Sequence, residues 1–224
     1  TITFPHTING GEETTATLMT GTTPSYHGIM NSSYFSRAQR THHDILHDDL
    51  ATGIGTKQQL SPHSILSPTI TDDWRIIQGS DAKIYSIGLA PQTTIMLAGH
   101  AADACCWLDP VSLKWVTTSS YPDGLPTAAD GMNMNGRINE LAERLWTPRL
   151  DISMYTNPNK DEKRRQFNYL PKDDILHTPT ANTLVIELAL DMQKTEKLGE
   201  DITPDIMLLQ LTTISPKANS DIIE

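Results

Sequence analysis

Cysteine is nearly absent: the two present, Cys105 and Cys106, are neighbours in the chain. Adjacent residues rarely meet disulfide geometry, so they build no cross-linked framework and are expected to act as small buried hydrophobes. Long apolar runs are missing too. No stretch approaches the roughly 18 residues that a membrane-spanning helix needs, so insertion into a bilayer is not expected. Positive charge is scarce, with 17 Lys and Arg against 27 Asp and Glu and a formal net charge of -10. That balance opposes non-specific binding to nucleic acid or to an anionic membrane surface. The one basic cluster, Lys160 to Arg165, contains Asp161 and Glu162 and reads as a solvated loop.

Several local signatures of chemistry are also absent. There is no G-x-S-x-G elbow, no P-loop, no G-x-G-x-x-G after a strand and no H-E-x-x-H. One segment, "RTHHDILHDDL", carries His43 and His47 four residues apart, with Asp44 and Asp48 alongside. On a helix these would share a face at metal-ligand spacing, although a solvated helix of mixed charge explains the pattern as well.

What is present suits an α/β domain. The 224 residues can bury one substantial core, and length suggests a single domain over 1–224. Short β-branched runs at Thr1–Phe4, Ala82–Gly88, Thr93–Leu97, Lys114–Thr118 and Ile206–Leu211 read as strands. Helical patterns occupy Glu13–Met19, Arg37–Leu50, Ser64–Gln78, Met134–Arg144 and Thr183–Leu198, the last with Asn182 as cap and Gly199 as stop. Such alternation predicts a central, largely parallel sheet flanked by helices. The polar, Pro-rich stretch from about Thr147 to Pro179 is expected to run over the surface. The opening "TITF" is already strand-like and the end follows soon after a strand, so both ends are expected to be cut.

Four stretches go further: "TGTTPSYHGIM" at 20–30, "DAKIYSIGLAPQTTIMLAGHAADACCWLDP" at 81–110, "KWVTTSSYPDGLP" at 114–126 and "NTLVIELALDMQKTEKLGEDITPDIMLLQLTT" at 182–213. In order and spacing they resemble the alkaline phosphatase superfamily, in its branch of bacterial phosphate-irrepressible phosphatases and nucleotide pyrophosphatase/phosphodiesterases. The resemblance implies an α/β sandwich, incomplete here at both ends. It also implies two zinc ions, a Thr or Ser nucleophile and hydrolysis of phosphate esters. Two metals would clamp the attacking and leaving oxygens while a Lys/Arg pair and an Asn neutralise the rest of the phosphoryl group.

Carried over position by position, that chemistry fails. The nucleophile's position falls on Gly11, which has no side chain to attack with, and Thr14 and Thr15 are hydroxyls about one turn late. The phosphate-binding Asn matches Ser32, with Asn31 one residue early, so this role is not lost and Asn31 and Ser32 stand as substrate-binding candidates. The Lys and Arg match Ala90 and Gln92, and an Asp and a His among the metal ligands match Ser215 and Asn219. His100 and Asp103 are expected to hold the turn after a strand, and Trp107 and Trp115 to be core aromatics.

The expectation is therefore a catalytically degenerate relative with a binding or structural role, no cofactor, and a protein or neutral small ligand as partner. Resemblance alone places it in the periplasm or otherwise outside the cytoplasm. The rival expectations are a rebuilt zinc phosphatase or phosphodiesterase, using Thr14 or Thr15 with a His43/His47/Asp48 cluster, and a fragment of a longer phosphatase-like protein.

Overall fold

This computed structural model describes residues 11–144 and 175–212. Helix α1 (Gly11–Thr20) and the short α2 (Pro24–His27) lead into a hairpin of β1 (Ser33–Ser36) and β2 (Thr41–Asp44). There follow β3 (Gly53–Ile54), α3 (Ile70–Gln78), β4 (Ile84–Gly88), α4 (Pro91–Ala98), β5 (Ala104–Asp109) and β6 (Lys114–Thr118). Helices α5 (Thr127–Met134), α6 (Arg137–Ala142) and α7 (Pro179–Thr195) then precede β7 (Ile206–Leu209).

The main sheet has the order β3-β6-β5-β4-β7. Strand β4 pairs in parallel with both β5 and β7, and β6 and β3 extend the sheet antiparallel. Strands β4 and β5 lie inside the sheet with almost every residue buried, which is why they read as continuous apolar runs rather than alternating ones. The pleat still sorts their side chains. Cys105 and Trp107 face a core with Ala16 of α1 and Ile95 and Met96 of α4, whereas Ala104, Cys106 and Leu108 face one with α5, α6 and α7. Both thiols are fully buried, and burial pushes both upward in pKa, Cys106 to about 12. Trp107 and Trp115 are core residues as expected, on opposite faces, and Trp115 Nε1 donates to Met132 Sδ at 3.1 Å.

Several local expectations give way. Arg37–Leu50 is not a helix, because β2 is held across a hairpin from β1, with Phe35 edge-on to His42 and Tyr34 stacked on His43. Thr93–Leu97 is helical: Pro91 sits in the first turn of α4, and the Thr94 hydroxyl bonds back to Ala90 O. A five-residue β-branched run does not separate a strand from a short buried helix. The central strand β5 was hidden inside the "CCWLD" run. Met134–Arg144 is broken by Gly136, whose φ of 76° lies in the left-handed region, into α5 and α6. Helix α7 begins earlier than expected, at Pro179 after Thr178, and Asn182 instead exchanges two hydrogen bonds with Thr212. Thr1–Phe4 and most of the 147–179 stretch lie outside the described residues. The end of that stretch turns inward, with Ile175 in the core beside α7. Among the described residues no helix is long and apolar enough to cross a membrane.

Candidate functional site

The parallel strands β4 and β7 end side by side at Gly88 and Leu209, and the chain turns there into α4. In open α/β sheets this end of the strands is where ligands bind. The backbone N–H groups of Leu89 and Ala90 both point to one acceptor, Gln210 Oε1, at 2.6 and 2.9 Å. Gln210 is anchored by its own N–H to Ile87 O at 2.8 Å, which continues the β7 ladder. A pair of adjacent amides leading into a helix is a ready anion site. Here the chain supplies the oxygen itself.

Beside them, Gln92 Nε2 donates to Asp44 Oδ2, and Asp44 Oδ1 accepts from Leu46 N at 2.9 Å. Asp44 ends β2 opposite Ser33, and Ser32 O accepts from Ile45 N at 3.0 Å. The fold thus gathers Ser32, Asp44, Ala90 and Gln92 at one end of the sheet. Asn31 turns its Oδ1 onto Ser32 N at 2.9 Å, and both residues are exposed.

Gly11 starts α1, which lies against α4. Thr15 Oγ1 donates to Gly11 O at 2.8 Å, a helical back-bond that uses its proton locally. A Cβ at Gly11 would meet nothing within 4 Å, and its φ is not in the left-handed region. Gly11→Thr is therefore expected to fold and to gain about 0.5 kcal/mol from reduced unfolded-state freedom. Its turnover of p-nitrophenyl phosphate is expected to equal that of the unmodified chain, because a hydroxyl alone brings no positive charge to Ala90 or Gln92. Urea unfolding and a colorimetric assay on the same sample check both statements.

The histidine cluster forms differently from the helical expectation. His43 and His47 are brought together, but as stacked rings with centroids 4.7 Å apart and planes 28° from parallel. Stacked imidazoles direct their in-plane lone pairs side by side rather than toward a shared point. His47 Nε2 meets Asp49 Oδ1 at 3.0 Å. Asp48 accepts from the Ser61 hydroxyl at 2.6 Å and from Leu50 N at 2.9 Å, bonds that lower its pKa. Among the described residues no group of three or more His, Cys, Asp or Glu side chains is placed to hold a metal ion. These donors do not fit the two-zinc centre that the resemblance implies. Ser215 and Asn219 lie outside the described residues.

His100 and Asp103 form a structural joint. Asp103 Oδ2 accepts from Ile84 N and from the Arg75 guanidinium, both at 2.7 Å. His100 Nδ1 lies 2.8 Å from Asp72 Oδ2 and its Nε2 lies 3.0 Å from Ile65 O. Asp72 also caps α3 through Thr69 in a reciprocal box. Sequence reading missed Asp44 as a partner of Gln92 and missed Gln210 altogether. A glutamine just after a strand is the only local signal for the latter.

No protein-family model matches the chain. It is 27% identical over 207 residues to a protein of Myroides odoratus named calcium-transporting ATPase, covering 83% of this chain and 38% of that one. Alkaline phosphatase PafA of Elizabethkingia meningoseptica is 25% identical and alkaline phosphatase PhoV of Synechococcus elongatus 22%, each over 88% of this chain and 40% of its own length. The crystal structure of PafA superposes with a TM-score of 0.80 at 23% identity, over 90% of this chain and 43% of PafA. The chain thus spans about two fifths of the length of the curated relatives it matches. In sequence the chain is thus similar to alkaline phosphatases, and in fold to the crystal structure of PafA.

Proposed function

We propose that this chain is a non-catalytic member of the superfamily that binds a protein partner or a neutral small ligand, with no zinc and no other cofactor. The observation that carries this reading is the state of the donors where α4 begins. The Leu89 and Ala90 amides hold Gln210 Oε1, and Gln92 holds Asp44, at the positions matched to the Lys/Arg clamp. An approaching phosphoryl group would meet Ala90 and Gln92 in place of the two cations, with the Asp44 carboxylate beside Gln92. Since preorganised positive charge is the main stabilising term in phosphoryl transfer, the loss weighs heavily against hydrolysis. Gly11, at the helix start matched to the nucleophile, points the same way. Export from the cytoplasm belongs to this reading and rests on the relatives alone.

Coverage favours a second reading, in which the chain is one portion of a longer phosphatase-like protein, since the relatives extend well beyond the matched region.

Zinc stoichiometry by elemental analysis, with p-nitrophenyl phosphate and bis-p-nitrophenyl phosphate turnover on the same zinc-supplemented protein, tests the proposal. The expected result is substoichiometric zinc and rates at the level of buffer. Stoichiometric zinc, with turnover that is lost in Thr14→Ala or Thr15→Ala, would establish a rebuilt enzyme instead.

A further inference from the structure

We infer that Asp44 is a specificity-determining residue, an internal anion that makes the mouth of the sheet refuse phosphate-class ligands. The inference rests on the preceding reading of Ala90 and Gln92 as the positions of a lost cationic clamp. Loss of two cations would by itself leave an indifferent surface. What the structure adds is an acidic side chain installed against one of those positions.

Asp44 is half-buried at the end of β2, directed by the Leu46 amide on one oxygen and bonded by the Gln92 amide on the other. The carboxylate is built in by register. Asp44 pairs with Ser33 across the hairpin, so the aromatic pairs of β1 and β2, Tyr34 with His43 and Phe35 with His42, hold it in place. Gln210 Oε1 does the corresponding work at Leu89 and Ala90. An oxygen of the chain therefore already sits on the donors at both matched positions. A phosphate would have to displace one and approach the other's negative charge at close range, where like charges repel. If the cations were put back, an arginine at 92 would find Asp44 in hydrogen-bonding reach and form a carboxylate pair before any ligand arrived.

The test is the phosphate affinity of two variants of the full chain, measured by titration calorimetry with inorganic phosphate at neutral pH. The variant A90K/Q92R restores the cations and keeps Asp44; A90K/Q92R/D44N removes the internal anion, while Asn can still accept from Leu46 N. The triple variant is expected to bind phosphate at least tenfold more tightly than the double. Affinities within threefold of each other, or no binding by the triple variant, overturn the inference. Circular dichroism establishes that each variant is folded. If the triple variant is not, Q92R with and without D44N gives the same comparison with a smaller change. Turnover by the unmodified chain would overturn the non-catalytic reading without touching this result, so the two failures are separable.

Discussion

Asp72→Ala is expected to lower unfolding free energy by about 3 kcal/mol, read as a shift of the urea midpoint, because it strands the buried donors of Thr69 together with part-buried ones of His100 and Ala101. The Asp72 carboxylate accepts from Thr69 N, Thr69 Oγ1, His100 N, His100 Nδ1 and Ala101 N. It thereby joins the cap of α3 to the turn that follows α4, two segments that no local propensity would align. Burial pushes this carboxyl upward, but the His100 ring and the Thr69 donors outweigh it and hold the pKa down to about 2. A depressed carboxyl contributes stability above its ordinary value of 3.8 and loses it as pH falls toward 2, an effect of about 2 kcal/mol at most. His100 is raised, first by its bond to Asp72, so its contribution is present below 6.5 and is lost as pH climbs through the raised value. The joint is therefore strongest between about pH 4 and 6.5. Asp72→Asn should flatten the profile at both ends of that window.

Gly88→Ala is the second large effect, an expected loss of about 3 kcal/mol from overpacking. An added Cβ at Gly88 would lie 2.1 Å from Thr94 Oγ1 and 2.9 Å from Gln210 Cβ. The position lies where β4 leaves the sheet, so the side chains that must yield are those that close off the Ala90 turn. Thr94→Ala removes the nearest obstacle, and the double variant should recover at least 1 kcal/mol relative to the sum of the single changes. Strict additivity would show that the strain lies elsewhere.

How much of this was legible in the sequence depends on the range of the forces involved. Lys114–Thr118 forms its strand as expected because its β-branched and aromatic residues and its flanking turns agree locally. The α/β class follows from the alternation of elements. Thr93–Leu97 misled because a short buried segment has no periodicity to distinguish helix from strand, and the deciding features are Pro91 and the Thr94 back-bond. His43 and His47 do meet, but through the turn from Asp44 to His47 that follows β2 rather than along a helical face. The resemblance around "AGHAAD" points to Ala90 and Gln92 as the matched positions. Their occupants could not be picked out, because Asp44 reaches Gln92 across 48 residues and Gln210 reaches Ala90 across 120.

Strand β5 places its two thiols back to back, one in each layer of the molecule. Each is sealed until its own layer loosens, so a thiol reagent applied under native conditions becomes a reporter with two independent channels. Label on Cys105 alone would record an excursion of the α1 and α4 layer, and label on Cys106 alone one of the layer formed by α5 to α7. The relative labelling rates would show whether the two halves breathe separately or the sheet opens as a whole.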